Sequence, residues 1–289
     1  MLKQDVLMHF GLMKNPFMPI ISKESEIYMS SWHHYALDMM RETAATGGFC
    51  IITGQVGSGK TVTMNKFIEE NRTKRKYHLI RSEAGDKRNL QPRTILEACV
   101  YDLSNDKPRR GIEALTRQVR QLLISRANNN TKVVLLIDEA HDMPIATIKF
   151  LKRLWEMDNG LQRLIGIILI GQNELEVTLY EKGAMELREV TARATNARLG
   201  ALGDQVKDYI NHRLKSAGAI SGKIITKEAL DLMPAVLADK DNFGQTLSLA
   251  YPLHTNSIMM ELMEHAYQNG FSAIEPDTIR SAGYYVAKV

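Results

Sequence analysis

The chain has 289 residues, 44% hydrophobic and 24% charged, a balance that excludes a disordered polymer and suffices for one large domain with a smaller one. Its formal net charge of +4 is compatible with a polyanion partner and demands none. Two cysteines, Cys50 and Cys99, stand among apolar neighbours and read as reduced core residues, which argues against a disulfide framework or a cysteine metal site and for the cytoplasm.

No signal segment is legible after Met1-Leu2-Lys3-Gln4-Asp5, and the longest apolar stretch, residues 164–170, is too short to cross a bilayer, so no membrane partner is expected. A lead segment runs to about residue 46 and contains His9-Phe10-Gly11-Leu12 and Asn15-Pro16-Phe17, then a predicted helix over 32–41. The apolar run Phe49-Cys50-Ile51-Ile52 predicts a buried strand over 49–53. It leads into Gly54-Gln55-Val56-Gly57-Ser58-Gly59-Lys60-Thr61, which matches the phosphate-binding pattern G-x-x-x-x-G-K-[ST] at every fixed position, and a helix is predicted over 61–71. Glycines in such a loop let backbone N–H groups approach phosphate oxygens, and the helix N-terminus adds positive potential. Lys60 is expected to reach the β- and γ-phosphates and the Thr61 hydroxyl to ligate Mg²⁺.

Further along, a strand is predicted over 77–81 and helices over 92–103 and 112–126, the latter with Ile112, Leu115, Val119, Leu122 and Leu123 at helical spacing. Lys132-Val133-Val134-Leu135-Leu136-Ile137-Asp138-Glu139 reads as a central parallel strand with two carboxylates at its C-terminal end, where open α/β sheets place ligands. Asp138 is expected to support Mg²⁺ and Glu139 to polarise the attacking water. The adjacent acids, with no guanine-reading N-K-x-D in the chain, favour ATP. A helix over 145–157 carries Lys149, Lys152 and Arg153 opposite Ile148, Leu151 and Leu154, a solvated face or a DNA contact. A strand over 164–171, a helix over 173–181 and a strand over 194–199 complete an alternating pattern that predicts a parallel sheet flanked by helices. Beyond about residue 202 only helices are expected, over 203–217, 227–237, 257–269 and 276–287. The expected division is an α/β nucleotide-binding domain with its lead segment, 1–201, and a small helical lid, 202–289. Fifteen methionines, some paired as in Met39-Met40 and Met259-Met260, read as adaptable core filler.

The whole pattern resembles an AAA+ P-loop ATPase, and more narrowly the ExeA/TnsC/MuB (TniB-like) group. The narrower resemblance rests on Phe10-Gly11-Leu12 with Asn15-Pro16-Phe17, on Ser31-Trp32-His33-His34-Tyr35-Ala36-Leu37, and on Ile168-Leu169-Ile170-Gly171-Gln172-Asn173-Glu174-Leu175. It implies that Gln172, with Asn173 as second choice, is the sensor ending the fourth strand. It implies an arginine finger acting on a neighbouring subunit, Arg193 or alternatively Arg188. Lids of the ExeA type usually carry Gly-x-Pro-Arg-x-x-Asn, whereas this chain has Tyr251-Pro252-Leu253-His254-Thr255-Asn256, so the sensing arginine is absent and His254 is its candidate replacement. Slow, regulatory hydrolysis suits that departure.

ExeA proper adds membrane and cell-wall-binding segments that are not seen here, so the resemblance points to transposition regulators. These oligomerise on duplex DNA with ATP bound, as a ring or helical filament, and deliver the DNA to a transposase during DNA integration and recombination. The short lead segment leaves no room for a MuB-like DNA-binding appendage, which brings the chain nearer to a minimal TnsC. Basic residues cluster at Arg72, Lys74, Arg75 and Lys76 and again at Lys87, Arg88 and Arg93. The resemblance implies that the second group faces the pore, and Lys87, Arg88 and Arg93 are therefore the favoured DNA contacts. No aromatic stacking motif or helix-turn-helix is legible, so backbone-directed binding is expected. The rival readings are a secretion-associated ATPase and a helicase-loader or initiator adaptor.

Overall fold

The computed structural model describes residues 2–19, 23–81, 90–240 and 246–284. Contacts divide the chain into two units, one comprising residues 31–55 and 59–199, the other residues 1–30, 56–58 and 200–289.

The first unit is built on five parallel strands: β1 (Phe49–Gly54), β2 (Tyr77–Arg81), β3 (Lys132–Ile137), β4 (Ile165–Gly171) and β5 (Thr195–Leu199). Their order across the sheet is β2-β3-β4-β1-β5. Ile51 lies opposite Leu169, Leu135 opposite Ile167, and Leu79 opposite Val134. The three central strands are unbroken apolar runs because helices cover both faces. β1 and β4 are buried along their whole length, while edge strand β5 carries exposed Thr195, Asn196 and Arg198. β4 lies between β3 and β1, so the segments leaving these three strands emerge side by side.

Helices α2 (Ser31–Thr46), α3 (Lys60–Lys74), α4 (Pro92–Leu103), α5 (Ile112–Asn128), α6 (Ile145–Trp155), α7 (Asn173–Val177) and α8 (Ala184–Thr191) complete the unit, with α1 (Gln4–His9) preceding them in the chain. α2 comes so close to the sheet that a Cβ on Gly166 of β4 would lie 2.8 Å from the Thr43 carbonyl oxygen. Trp155 closes α6 onto the core: its indole N–H donates to the Gly47 carbonyl at 2.8 Å, and its ring meets Phe49 edge-on at 5.6 Å. A two-stranded hairpin, Asp158–Asn159 with Gln162–Arg163, precedes β4 and escaped the sequence reading because each strand is two residues long. The helix expected over 173–181 is α7 followed by a π-type turn, Thr178–Lys182. Cys50 and Cys99 are buried free thiols, and burial pushes them up to about 11 and about 12, respectively.

The second unit is mainly helical: α1, α9 (Val206–Ser216), α10 (Ser221–Ile224), α11 (Lys227–Val236), α12 (Pro252–Gln268) and α13 (Pro276–Ser281). Val6, Phe17, Ile210, Met233, Met259 and Met263 lie in its core, the methionines as filler. α12 begins five residues before the expected start at 257, because Pro252 supplies the first helical position and Tyr251 an extended cap. The expectation of helices alone is corrected by a short antiparallel pair, Ala238–Lys240 with Thr246–Ser248.

The lead segment groups with this unit, whereas the sequence reading attached it to the α/β domain. The reason is a buried arginine on α9. Arg213 is 6% exposed, and its guanidinium donates to the carbonyls of Pro16, at 2.8 Å, and Met18. Phe17 is fully buried, and its N–H donates to the Asn15 side chain at 2.9 Å. Tyr28 packs edge-on against Tyr209 at 5.5 Å. Arg213→Met keeps the bulk and removes the donors, leaving the Pro16 and Met18 carbonyls short of partners. The expected cost is about 2–3 kcal/mol in this unit, read as faster amide hydrogen exchange across residues 2–19 with β1, β3 and β4 unchanged.

Candidate functional site

The chain leaves β1 through two residues with positive φ, Gly57 at 78° and Gly59 at 92°, and α3 starts at Lys60. Gly59 is required twice over. Its backbone is left-handed, and a Cβ there would lie 2.4 Å from Nε2 of buried His33 on α2. The Lys60 ammonium is drawn back over the loop, donating to the Gly54 carbonyl at 2.8 Å and the Gln55 carbonyl at 2.9 Å. Burial lowers the Lys60 pKa, while the charges of Glu139, Asp138 and Glu174 act in the opposite direction. Those three carboxylates thus share the electrostatic field of Lys60. Thr61 is exposed in the first turn of α3, and Ser58 is buried.

β3 ends in a sharp change of backbone direction. Asp138 is half-buried, and its Oδ1 accepts the Glu139 N–H at 2.9 Å. Glu139 has φ 53° and ψ 39°, left-handed for a residue that is not glycine. Such a conformation is disfavoured and persists where its surroundings hold it. Its carboxylate is about half exposed and lies 3.3 Å from Nδ1 of His141. The same Nδ1 faces the Gln172 N–H at 3.4 Å, at the end of β4. A ring nitrogen accepts from Gln172 only when unprotonated and donates to Glu139 only when protonated, so the two roles exclude each other. His141 therefore stands between the acidic pair and the strand carrying the expected sensor and bonds to one of them at a time. The sequence reading missed it, although it stands two residues beyond Glu139.

Two neighbours of that strand were also missed. Glu174 faces Lys60 electrostatically, and Glu176 accepts from the Thr53 hydroxyl, tying the end of β1 to α7. Gln172 contributes its backbone to the contact with His141, whereas the Asn173 Oδ1 is buried without a donor among the described residues. A buried acceptor without a donor is costly unless something supplies one.

The remaining candidates fall elsewhere. Arg193, exposed after α8, is 3.5 Å from the Glu156 carboxylate, within a network that includes Lys152 and Glu189. Arg188 is exposed on α8 and makes no ion pair among the described residues. His254 is exposed in the first turn of α12, in the second unit. Lys87 and Arg88 lie outside the described residues. The Arg93 side chain is engaged with Glu97 at 2.8 Å and with the Arg110 carbonyl. On α6, Lys152 pairs with Glu156 and Glu189, as a solvated face does.

Among the described residues no cluster of three His, Cys, Asp or Glu side chains suits a metal ion. Mg²⁺ needs no such cage, because it takes one or two protein ligands together with phosphate oxygens and water. Thr61 and Asp138 fit that requirement in chemical type.

Residues 42–179 match the family described as AAA domain. The chain is 28% identical over 282 residues to General secretion pathway protein A of Aeromonas hydrophila, covering 97% of this chain and 48% of that protein. It thus spans about half the length of this relative. Among solved structures, Cdc6p from Pyrobaculum aerophilum matches with TM-score 0.60 at 18% identity, covering 95% of this chain and 72% of that one. The Aeropyrum pernix ORC2 protein matches with TM-score 0.57 at 14% identity, covering 96% and 74%. Drosophila ORC, solved bound to DNA, matches with TM-score 0.56 at 11% identity, covering 97% and 65%. The parallel five-stranded sheet flanked by helices is the AAA+ P-loop NTPase fold. Among the described residues no helix is long and apolar enough to cross a membrane.

Proposed function

We propose that this chain hydrolyses ATP with Mg²⁺ and uses the nucleotide to assemble on duplex DNA, which it delivers to a transposase. The observation that carries the ATPase reading is the glycine loop after β1, with the Lys60 ammonium drawn over it onto the Gly54 and Gln55 carbonyls, in a sheet whose strand β3, one strand removed, ends in Asp138 and Glu139. Lys60 neutralises β- and γ-phosphate charge, and the loop's backbone N–H groups cradle the phosphates. Thr61 and Asp138 hold Mg²⁺, which supplies further charge neutralisation when bound. Glu139 takes the proton of the attacking water, its carboxylate 3.3 Å from Nδ1 of His141. Asn173, with its buried free acceptor, supports the sensor role better than Gln172. Arg188 supports the role of a finger reaching a neighbouring subunit better than ion-paired Arg193. His254 stands as the lid's candidate phosphate ligand.

The DNA and transposase parts rest on the resemblance of the opening, the α2 helix and the β4 ending to transposition regulators, and on exposed basic side chains of the first unit. A second reading, a secretion-associated ATPase, is favoured by the secretion-pathway relative that covers 97% of this chain. Negative-stain electron microscopy separates the two, using duplex DNA with ATP, with a slowly hydrolysed analogue, and without nucleotide. Nucleotide-dependent rings or filaments tracking the DNA are expected. Particles indifferent to duplex DNA would remove the transposition reading and leave the secretion one.

A further inference from the structure

The segment between α4 and α5, Ser104-Asn105-Asp106-Lys107-Pro108-Arg109-Arg110-Gly111, has the sequence of an ordinary charged loop. Its main chain is held at several points. Gln118 of α5 is 7% exposed and spends both ends of its amide on the loop: Oε1 accepts the Arg109 N–H at 3.1 Å, and Nε2 donates to the Lys107 carbonyl at 3.2 Å. Arg93, from the first turn of α4, donates to the Arg110 carbonyl. The Ser104 hydroxyl accepts the Asp106 N–H at 3.2 Å.

The side chains on this fixed backbone are exposed cations. Lys107, Arg109 and Arg110 are all exposed and make no ion pair among the described residues. Nearby carboxylates are already engaged, Glu97 by Arg93 at 2.8 Å and Glu113 by Arg117 at 2.5 Å. Asp106 offsets one of the three charges. A cation whose backbone is already ordered loses less conformational freedom on binding. Adjacent guanidinium groups suit phosphate oxygens, which they bind through paired N–H donors. The loop contains no aromatic residue on which a base would stack, so the chemistry is that of a phosphate backbone.

We infer that Lys107, Arg109 and Arg110 form a backbone-directed contact for duplex DNA, with Gln118 and Arg93 as positioning residues. This inference rests on the proposed duplex-binding function and changes the part played by Arg93. Its guanidinium, offered by the sequence as a DNA contact, holds the loop that makes the contact.

The test is fluorescence anisotropy of a labelled mixed-sequence duplex with the full chain and a slowly hydrolysed ATP analogue, titrated at several KCl concentrations. Arg109→Ala with Arg110→Ala is expected to weaken binding at least about tenfold and to flatten the plot of log affinity against log salt by about 1.8, for two lost phosphate contacts. Gln118→Leu keeps every charge and is expected to weaken binding at least about threefold with ATP turnover retained. Lys223→Ala with Lys227→Ala removes two cations from the second unit and is expected to leave the slope unchanged. If the arginine pair leaves affinity and slope at their native values, or if the control pair lowers them equally, the loop is not the contact. A native chain with no duplex affinity in any nucleotide state would instead overturn the duplex-binding function on which the inference stands.

Discussion

Glutamine at position 139 is expected to bind ATP as tightly as the native chain and to turn it over at least about 10²-fold more slowly. The substitution keeps side-chain length and hydrogen-bonding reach but removes the only role that needs a base. The Glu139 backbone is left-handed and anchored by the Asp138 carboxylate, a geometry that glutamine preserves. The carboxylate is partly exposed and therefore reachable by water. The measurements are phosphate release at saturating ATP and equilibrium binding of a fluorescent ATP analogue. Loss of binding together with turnover would show that Glu139 holds the site together, and its assignment as base would fall.

Removing the loop lysine is expected to have an effect of similar size on a different quantity. Lys60→Ala should lower kcat/KM by about 10²–10³-fold, the usual cost of deleting one preorganised charge facing a developing anion. Nucleotide affinity should fall with it, because Lys60 contributes in the ground state as well. Lys60→Arg separates charge from shape. The native ammonium is buried against the Gly54 and Gln55 carbonyls, within 2.8 and 2.9 Å. A planar guanidinium does not fit that compact cradle, so arginine should recover little activity despite keeping the charge. Near-native turnover in Lys60→Arg would mean that charge alone suffices. An unaltered circular dichroism spectrum in both variants separates this from a folding defect.

The fold was legible because its signals are local. Each central strand is a continuous apolar run, and a run buried on both faces belongs to a parallel sheet covered by helices. The loop after β1 was legible because its motif sets glycine at fixed spacing, and the backbone turns left-handed at Gly57 and Gly59. The place of Asp138 and Glu139 at the end of β3 was legible because an unbroken apolar run stops there.

What stayed illegible depends on distance in space. His141 gains its place from the end of β4, 31 residues away in sequence, and no spacing rule predicts that approach. Asn173 differs from Gln172 only through burial of its side-chain oxygen. Arg193 and Arg188 are both arginines in one short stretch, and only the presence of Glu156 beside the first distinguishes them. Arg93 looked like a free cation until the loop before α5 placed the Arg110 carbonyl against it.

The amino-acid order by itself determined the strand and helix sequence, the phosphate loop and the acidic pair, because propensity, periodicity and fixed motif spacing act between residues close along the chain. Only the tertiary structure decided that the lead segment packs with the C-terminal helices through Arg213, that His141 stands within reach of both Glu139 and the end of β4, and that Gln118 fixes a basic loop. Each of those depends on a polar side chain finding its partner in another element, and that choice is made by packing rather than by local sequence.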